Sequence, residues 1–193
     1  MPSITNISSW FKYSQIEYFT PFMKLWLAFN SWYRNFLPNL RTNREVVDSI
    51  KNGSPLKDNF ISRLEIESDE SNELRESLAI LVNELRIQKI SDGSGGLWGF
   101  DKSDIKPDFR NLNNNVKSRL LNSGNCIKLN EETIVTSDKS IFFQETFEII
   151  YLIRCSLIHG DFDVDNRRAQ RLVKSAFIVL SNIFGPIVSN QDD

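Results

Sequence analysis

The chain has 193 residues, 40% hydrophobic and 25% charged, which is enough apolar material for one packed core and predicts a single domain spanning 1–193. Twenty-three Lys and Arg against 25 Asp and Glu leave a formal charge of -2, which excludes a protein that holds nucleic acid or a membrane surface by bulk positive charge; any RNA contact must be local. With two cysteines, Cys126 and Cys155, and one histidine, His159, neither a disulfide framework nor a zinc cluster of Cys and His ligands can be assembled, and no metal or cofactor is expected.

The opening MPSITNISSW carries no basic leader and no apolar stretch of signal length, and no later run is read as approaching the roughly 20 apolar residues of a membrane span. A cytoplasmic protein is expected. Thr20-Pro21 reads as an N-cap followed by proline, and Phe22, Leu25, Trp26, Phe29, Tyr33 and Phe36 recur at helical steps up to Pro38. Trp32 falls off that stripe. Thr42 to Glu45 has capping-box spacing before Val46, Val47 and Ile50, with Gly53 as the stop. Ser54-Pro55 opens a further helix carrying Leu56, Phe60 and Leu64, and Leu74, Leu78, Leu81 and Leu85 mark a longer one.

Residues 91–140 read as an irregular insertion, because Gly, Asn, Ser and Asp are concentrated there. Gly93, Gly95, Gly96 and Gly99 form a loop rather than a nucleotide-binding fingerprint, a short helix is expected over Asn114 to Leu121, and Ile127 to Leu129 with Thr133 to Thr136 suit a small β-hairpin. Helical periodicity resumes at Phe142, Thr146, Ile150, Ile153 and Leu157 and stops at His159-Gly160. Asp161 to Asp165 offers N-caps for a final helix, whose stripe of Ala169, Leu172, Val173, Ala176, Phe177, Leu180, Ile183 and Phe184 is ended by Gly185-Pro186.

Two polar residues, Arg154 and His159, interrupt the apolar segment IIYLIRCSLIHG. They suit a helix end closed by basic side chains. They also suit phosphodiester chemistry, in which an imidazole moves the proton of a ribose 2'-hydroxyl or leaving oxygen while a guanidinium forks onto the phosphate. Five residues at about 100° each put the two about 140° apart around a helix, so they can flank a cleft but do not stack. A fraying last turn would let His159 swing toward Arg154. A rival pair, Cys155 and His159 at i, i+4, places the thiol late in a helix, where no positive dipole stabilises a thiolate, so a small buried side chain is the better reading of Cys155.

The segment IIYLIRCSLIHG, followed by a charged turn and the amphipathic RRAQRLVKSAFIVL, resembles the R-x4-6-H signature of HEPN domains, with Arg154 and His159 in the signature positions. The early helix FMKLWLAFNSWYR is similar to the first core helix of HEPN-like bacterial proteins, and residues 40 to 135 are unmatched. The resemblance implies an all-α bundle that dimerises so that two Arg-His pairs share one groove, acting as a metal-independent endoribonuclease in toxin-antitoxin, phage-defence or RNA-processing roles, with an antitoxin or other protein as partner. It also implies that Asn30, a polar residue on that first helix, approaches the groove and joins the catalytic set. Cys155 stands where ribonuclease members often have Asn, Asp or His, and Asp161 where one toxin subgroup has Tyr. A homodimer suits the composition, since a chain with one histidine supplies both acid and base only by pairing with a second copy.

On the last helix Arg167, Arg171 and Lys174 share a face, with Arg168 beside it, and form either a solvated surface or a set of RNA phosphate contacts. The alternatives that stay open are a non-catalytic HEPN module that binds nucleotide or RNA or holds a partner protein, and a helical scaffold without a ligand.

Overall fold

The segment from Lys139 to His159 folds as one helix that is buried almost all the way round. Its interior positions include Phe142, Phe143, Phe147, Ile149, Ile150, Leu152 and Ile153, too many for one stripe, so neighbouring elements must cover it on several sides. The computed structural model describes residues 17–92, 94–163 and 166–190. The opening decapeptide, Gly93 and the N-cap candidate Asp165 lie outside them.

Among the described residues the chain forms α1 (Phe19–Phe36), α2 (Asn43–Asn52), α3 (Pro55–Glu65), α4 (Asp69–Ile87), β1 (Ile90–Ser91), β2 (Leu97–Trp98), β3 (Asp104–Lys106), a 3-10 turn (Phe109–Asn111), α5 (Asn114–Leu121), β4 (Cys126–Lys128), β5 (Ile134–Thr136), α6 (Lys139–His159) and α7 (Arg167–Ser189). The fold is mainly helical, with two small antiparallel sheets. α7 lies along α4 and also packs on α1 and α3, while α6 is covered by α2 and α3.

Local chemistry explains most boundaries. Thr42 and Glu45 make the reciprocal capping box of α2, and Ser54 caps α3 with Pro55 at its first position. The first helix departs from expectation: it begins at Phe19, before the Thr20-Pro21 pair, and the Thr20 hydroxyl donates to Glu17 instead of capping. Its packing also differs. Trp32 is buried against Phe184 and stacks on Phe36, whereas Leu25 is half-buried and Phe36 remains 45% exposed.

The irregular stretch holds more sheet than the sequence suggests. The expected hairpin forms between β4 and β5, with Ile127 opposite Val135, and β3 adds a third strand on the other edge of β5. A second ladder pairs β1 with β2, inside what reads as a glycine loop. These strands are two or three residues long, below the length at which alternation can be recognised.

The last helix is capped by Asn166 and does not stop at Gly185-Pro186 but runs to Ser189 with Pro186 inside it. Proline removes one ladder hydrogen bond there, and in the same turn the Asn59 side chain of α3 donates to the Ile183 carbonyl at 2.9 Å. Contrary to the sequence reading, Arg167–Ser189 is long and apolar enough by composition to cross a membrane; its apolar stripe, from Ala169 to Phe184, is buried in the core.

Candidate active site

The end of α6 is set by Gly160, which adopts the left-handed conformation at φ 75°. Its N–H reaches the Leu157 carbonyl at 3.4 Å, and the Asp161 N–H reaches Ser156 at 2.9 Å, the paired bonds of a Schellman closure. The helix is therefore regular through His159, without the fraying the sequence reading allowed. His159 is exposed in the last turn, beside the exposed Ile158.

Arg154 stands a turn and a half earlier and is half-buried against α1. Its guanidinium lies over the Trp26 ring at 5.8 Å, Nη1 is 3.9 Å from the Cys155 Sγ, and Nε is buried without a hydrogen-bond partner. No carboxylate among the described residues pairs with it. Asn30 follows Trp26 by four residues and so shares that face of α1; its Oδ1 is also buried and unpartnered, as is the Trp26 indole nitrogen. No hydrogen bond joins Arg154 to His159, and their helical offset keeps them apart within one chain.

Two neighbours escaped the sequence reading. Tyr151 precedes Arg154 by three residues and packs against Trp26 at 6.2 Å, while the Arg44 guanidinium of α2 lies 5.8 Å from the Tyr151 ring. Burial, then a hydrogen bond and charge from Cys155, hold the Tyr151 hydroxyl above its ordinary pKa. Arg44 is itself anchored: its Nη1 and Nη2 donate to Glu148 at 2.5 and 2.8 Å, and its other contacts reach Asp48. The spacing of Glu148, Tyr151 and Cys155 along one face of α6 was the available signal, hidden because the segment reads as apolar.

The basic row on α7 is divided. Arg167 and Lys174 are exposed, with the Lys174 ammonium 5.4 Å from the Tyr18 ring. Arg171 is held by Glu84 at 2.5 Å, and Arg168 donates to the Glu84 and Gln88 carbonyls at the end of α4. Arg168 Nε lies 3.5 Å from the Glu84 carboxylate without hydrogen-bond alignment. These two arginines tie α7 to α4, so the free positive surface is smaller than the helical wheel implies. Among the described residues no group of three or more His, Cys, Asp and Glu side chains is gathered as a metal site requires.

Compared with protein-family models, curated proteins and solved structures, the chain gives no match.

Proposed function

We propose that this chain is an HEPN-like, metal-independent endoribonuclease that works as a homodimer in a toxin or phage-defence role. The observation that carries the reading is the state of Arg154: a half-buried guanidinium without a carboxylate partner, five residues before an exposed histidine that closes the same helix. A guanidinium held in a partly dry setting by an aromatic face is suited to a phosphate, which supplies the missing negative charge in a forked geometry. His159 moves the proton of the ribose 2'-hydroxyl or of the leaving oxygen, and attack by that hydroxyl yields a 2',3'-cyclic phosphate. Asn30 offers a hydrogen-bond acceptor on the adjacent face of α1, and Arg167 and Lys174 extend the phosphate contacts. Because the regular helix keeps Arg154 and His159 apart within one chain, the second copy completes the pair.

The test is cleavage of single-stranded RNA by purified protein in EDTA. Loss of the proton-moving group costs about 10²- to 10⁴-fold in rate, and loss of the arginine a comparable factor. His159→Ala and Arg154→Ala should therefore be folded and inactive, and an RNA with hydrogen in place of the scissile 2'-hydroxyl should not be cut. Cleavage of that deoxy substrate, or full activity in His159→Ala, overturns the mechanism. RNA binding without cleavage points instead to a non-catalytic module.

A further inference from the structure

On another side of α6, a cavity of about 190 Å³ opens between that helix, the β2 segment and α2; its lining includes Trp98, Lys51, Lys102, Glu145 and Glu148. Two features make it a built site. The first is a charge left over in its floor. Glu148 is neutralised together with Asp48 by Arg44 and Lys51, so two anions meet two cations, and on the rim Asp101 is paired with Lys89 at 2.5 Å. Glu145 is 9% exposed and has no cationic partner among the described residues. It accepts the Lys102 backbone N–H at 2.6 Å and the Ser103 hydroxyl at 2.5 Å. Those bonds anchor the start of β3 to α6 but leave the negative charge uncompensated, and two accepted bonds leave lone pairs on a carboxylate free. Lys102 is exposed and gives Glu145 its amide rather than its ammonium.

The second feature is an aromatic ring fixed at the mouth. The Trp98 indole N–H donates to Asp92 at 3.0 Å, and the same carboxylate accepts from the Ser94 amide and hydroxyl and the Gly96 amide. A side chain at Gly96 would meet that carboxylate at 2.3 Å, so glycine is what lets Asp92 fold back and hold the ring. Trp98 nevertheless stays 39% exposed. A partly open tryptophan held rigid beside a buried, uncompensated carboxylate is the pairing that recognises an organic cation, through the ring's negative face and a charge-assisted hydrogen bond.

We propose that this cavity binds the head of a small organic cation, a primary ammonium or guanidinium group, between Trp98 and Glu145. The site is separate from the Arg154 surface and does not depend on the ribonuclease reading. Titration calorimetry of the full chain with butylguanidinium and with spermidine should give saturable one-to-one binding, with 1-butanol and inorganic phosphate inert. Glu145→Gln, which keeps the shape and one acceptor, should weaken binding at least about tenfold, and Trp98→Leu, on the exposed rim, about threefold. Lys102→Ala should tighten binding, because it removes a like charge from the rim. Failure of both cations to bind the wild-type chain, unchanged affinity in Glu145→Gln, or weaker binding in Lys102→Ala would overturn the proposal. A response to butylguanidinium but not spermidine would support it and assign the site to planar guanidinium heads.

Discussion

At the scale of single residues, the buried Glu148 shows how much of α6 is electrostatic. Burial alone raises its pKa, but the hydrogen bonds and charges of Arg44 and Lys51 outweigh that, and the group ends below the ordinary glutamate value. A carboxyl whose folded pKa is depressed contributes stability above its unfolded pKa and loses it as the pH falls through the folded value. Stability should thus decline on the acid side of the normal glutamate range. In Glu148→Gln that part of the acid dependence should be absent, and stability near neutral pH should drop by about 2 to 3 kcal/mol, a buried-pair loss moderated by the solvent around Arg44. Urea midpoints measured across pH check both, and an unchanged acid limb would show that Glu148 is not the titrating group. None of this was legible beforehand. The helical period through Thr146 and Ile150 says nothing of Glu148, and only the arrival of Arg44 and Lys51 from α2 shows that this glutamate faces in.

At the scale of elements, helices were readable where caps and stripes agree. Thr42-Glu45, Ser54-Pro55 and His159-Gly160 each mark a boundary the fold keeps, since the capping side chain and the backbone it satisfies lie within a few residues of each other. The short strands were not readable, because β1, β2 and β3 depend on partners rather than on their own pattern. Proline misled at Pro186: one lost hydrogen bond ends a helix only when packing does not hold the next turn, and here Phe184 lies in the core and Asn59 reaches across from α3. The α4–α7 pair is tied in the same way by long-range contacts. Arg168 reaches the Glu84 carbonyl, which also accepts the Gln88 N–H, and the Gln88 carbonyl just past the end of α4, which gains a donor there. Arg168→Ala should destabilise the fold by about 1 to 2 kcal/mol, whereas Arg167→Ala, fully on the surface, should be nearly neutral. Equal unfolding midpoints for the two variants would place Arg168 on the surface as well.

At the scale of the whole molecule, the question is whether one copy suffices. Arg154 and His159 were visible in the sequence because both are polar in an apolar run, but their separation was masked by the assumption that a terminal turn can fray; the Schellman closure at Gly160 removes that freedom. A proton-moving group and a phosphate clamp must both reach one phosphodiester. On the proposed ribonuclease reading, with a single histidine per chain and a rigid helix between the two groups, a second copy is the direct way to bring His159 to the Arg154 of its partner. Two large apolar side chains stay exposed on the helices that carry Trp26 and Arg154, Leu27 on α1 and Ile158 on α6, at 59% and 47%, and they are the candidates for such a contact. Sedimentation should show a dimer, and Ile158→Asp with Leu27→Asp should dissociate it without unfolding the chain, since neither side chain is in the core. Mixing Arg154→Ala with His159→Ala then tests the shared site: each alone is inactive, while hybrid dimers hold one intact pair of Arg154 and His159 across the interface and recover part of the activity. A chain that stays monomeric throughout the micromolar range, or mixed variants that recover nothing although they co-sediment, would remove the composite site and leave Arg154 as a phosphate-binding group alone.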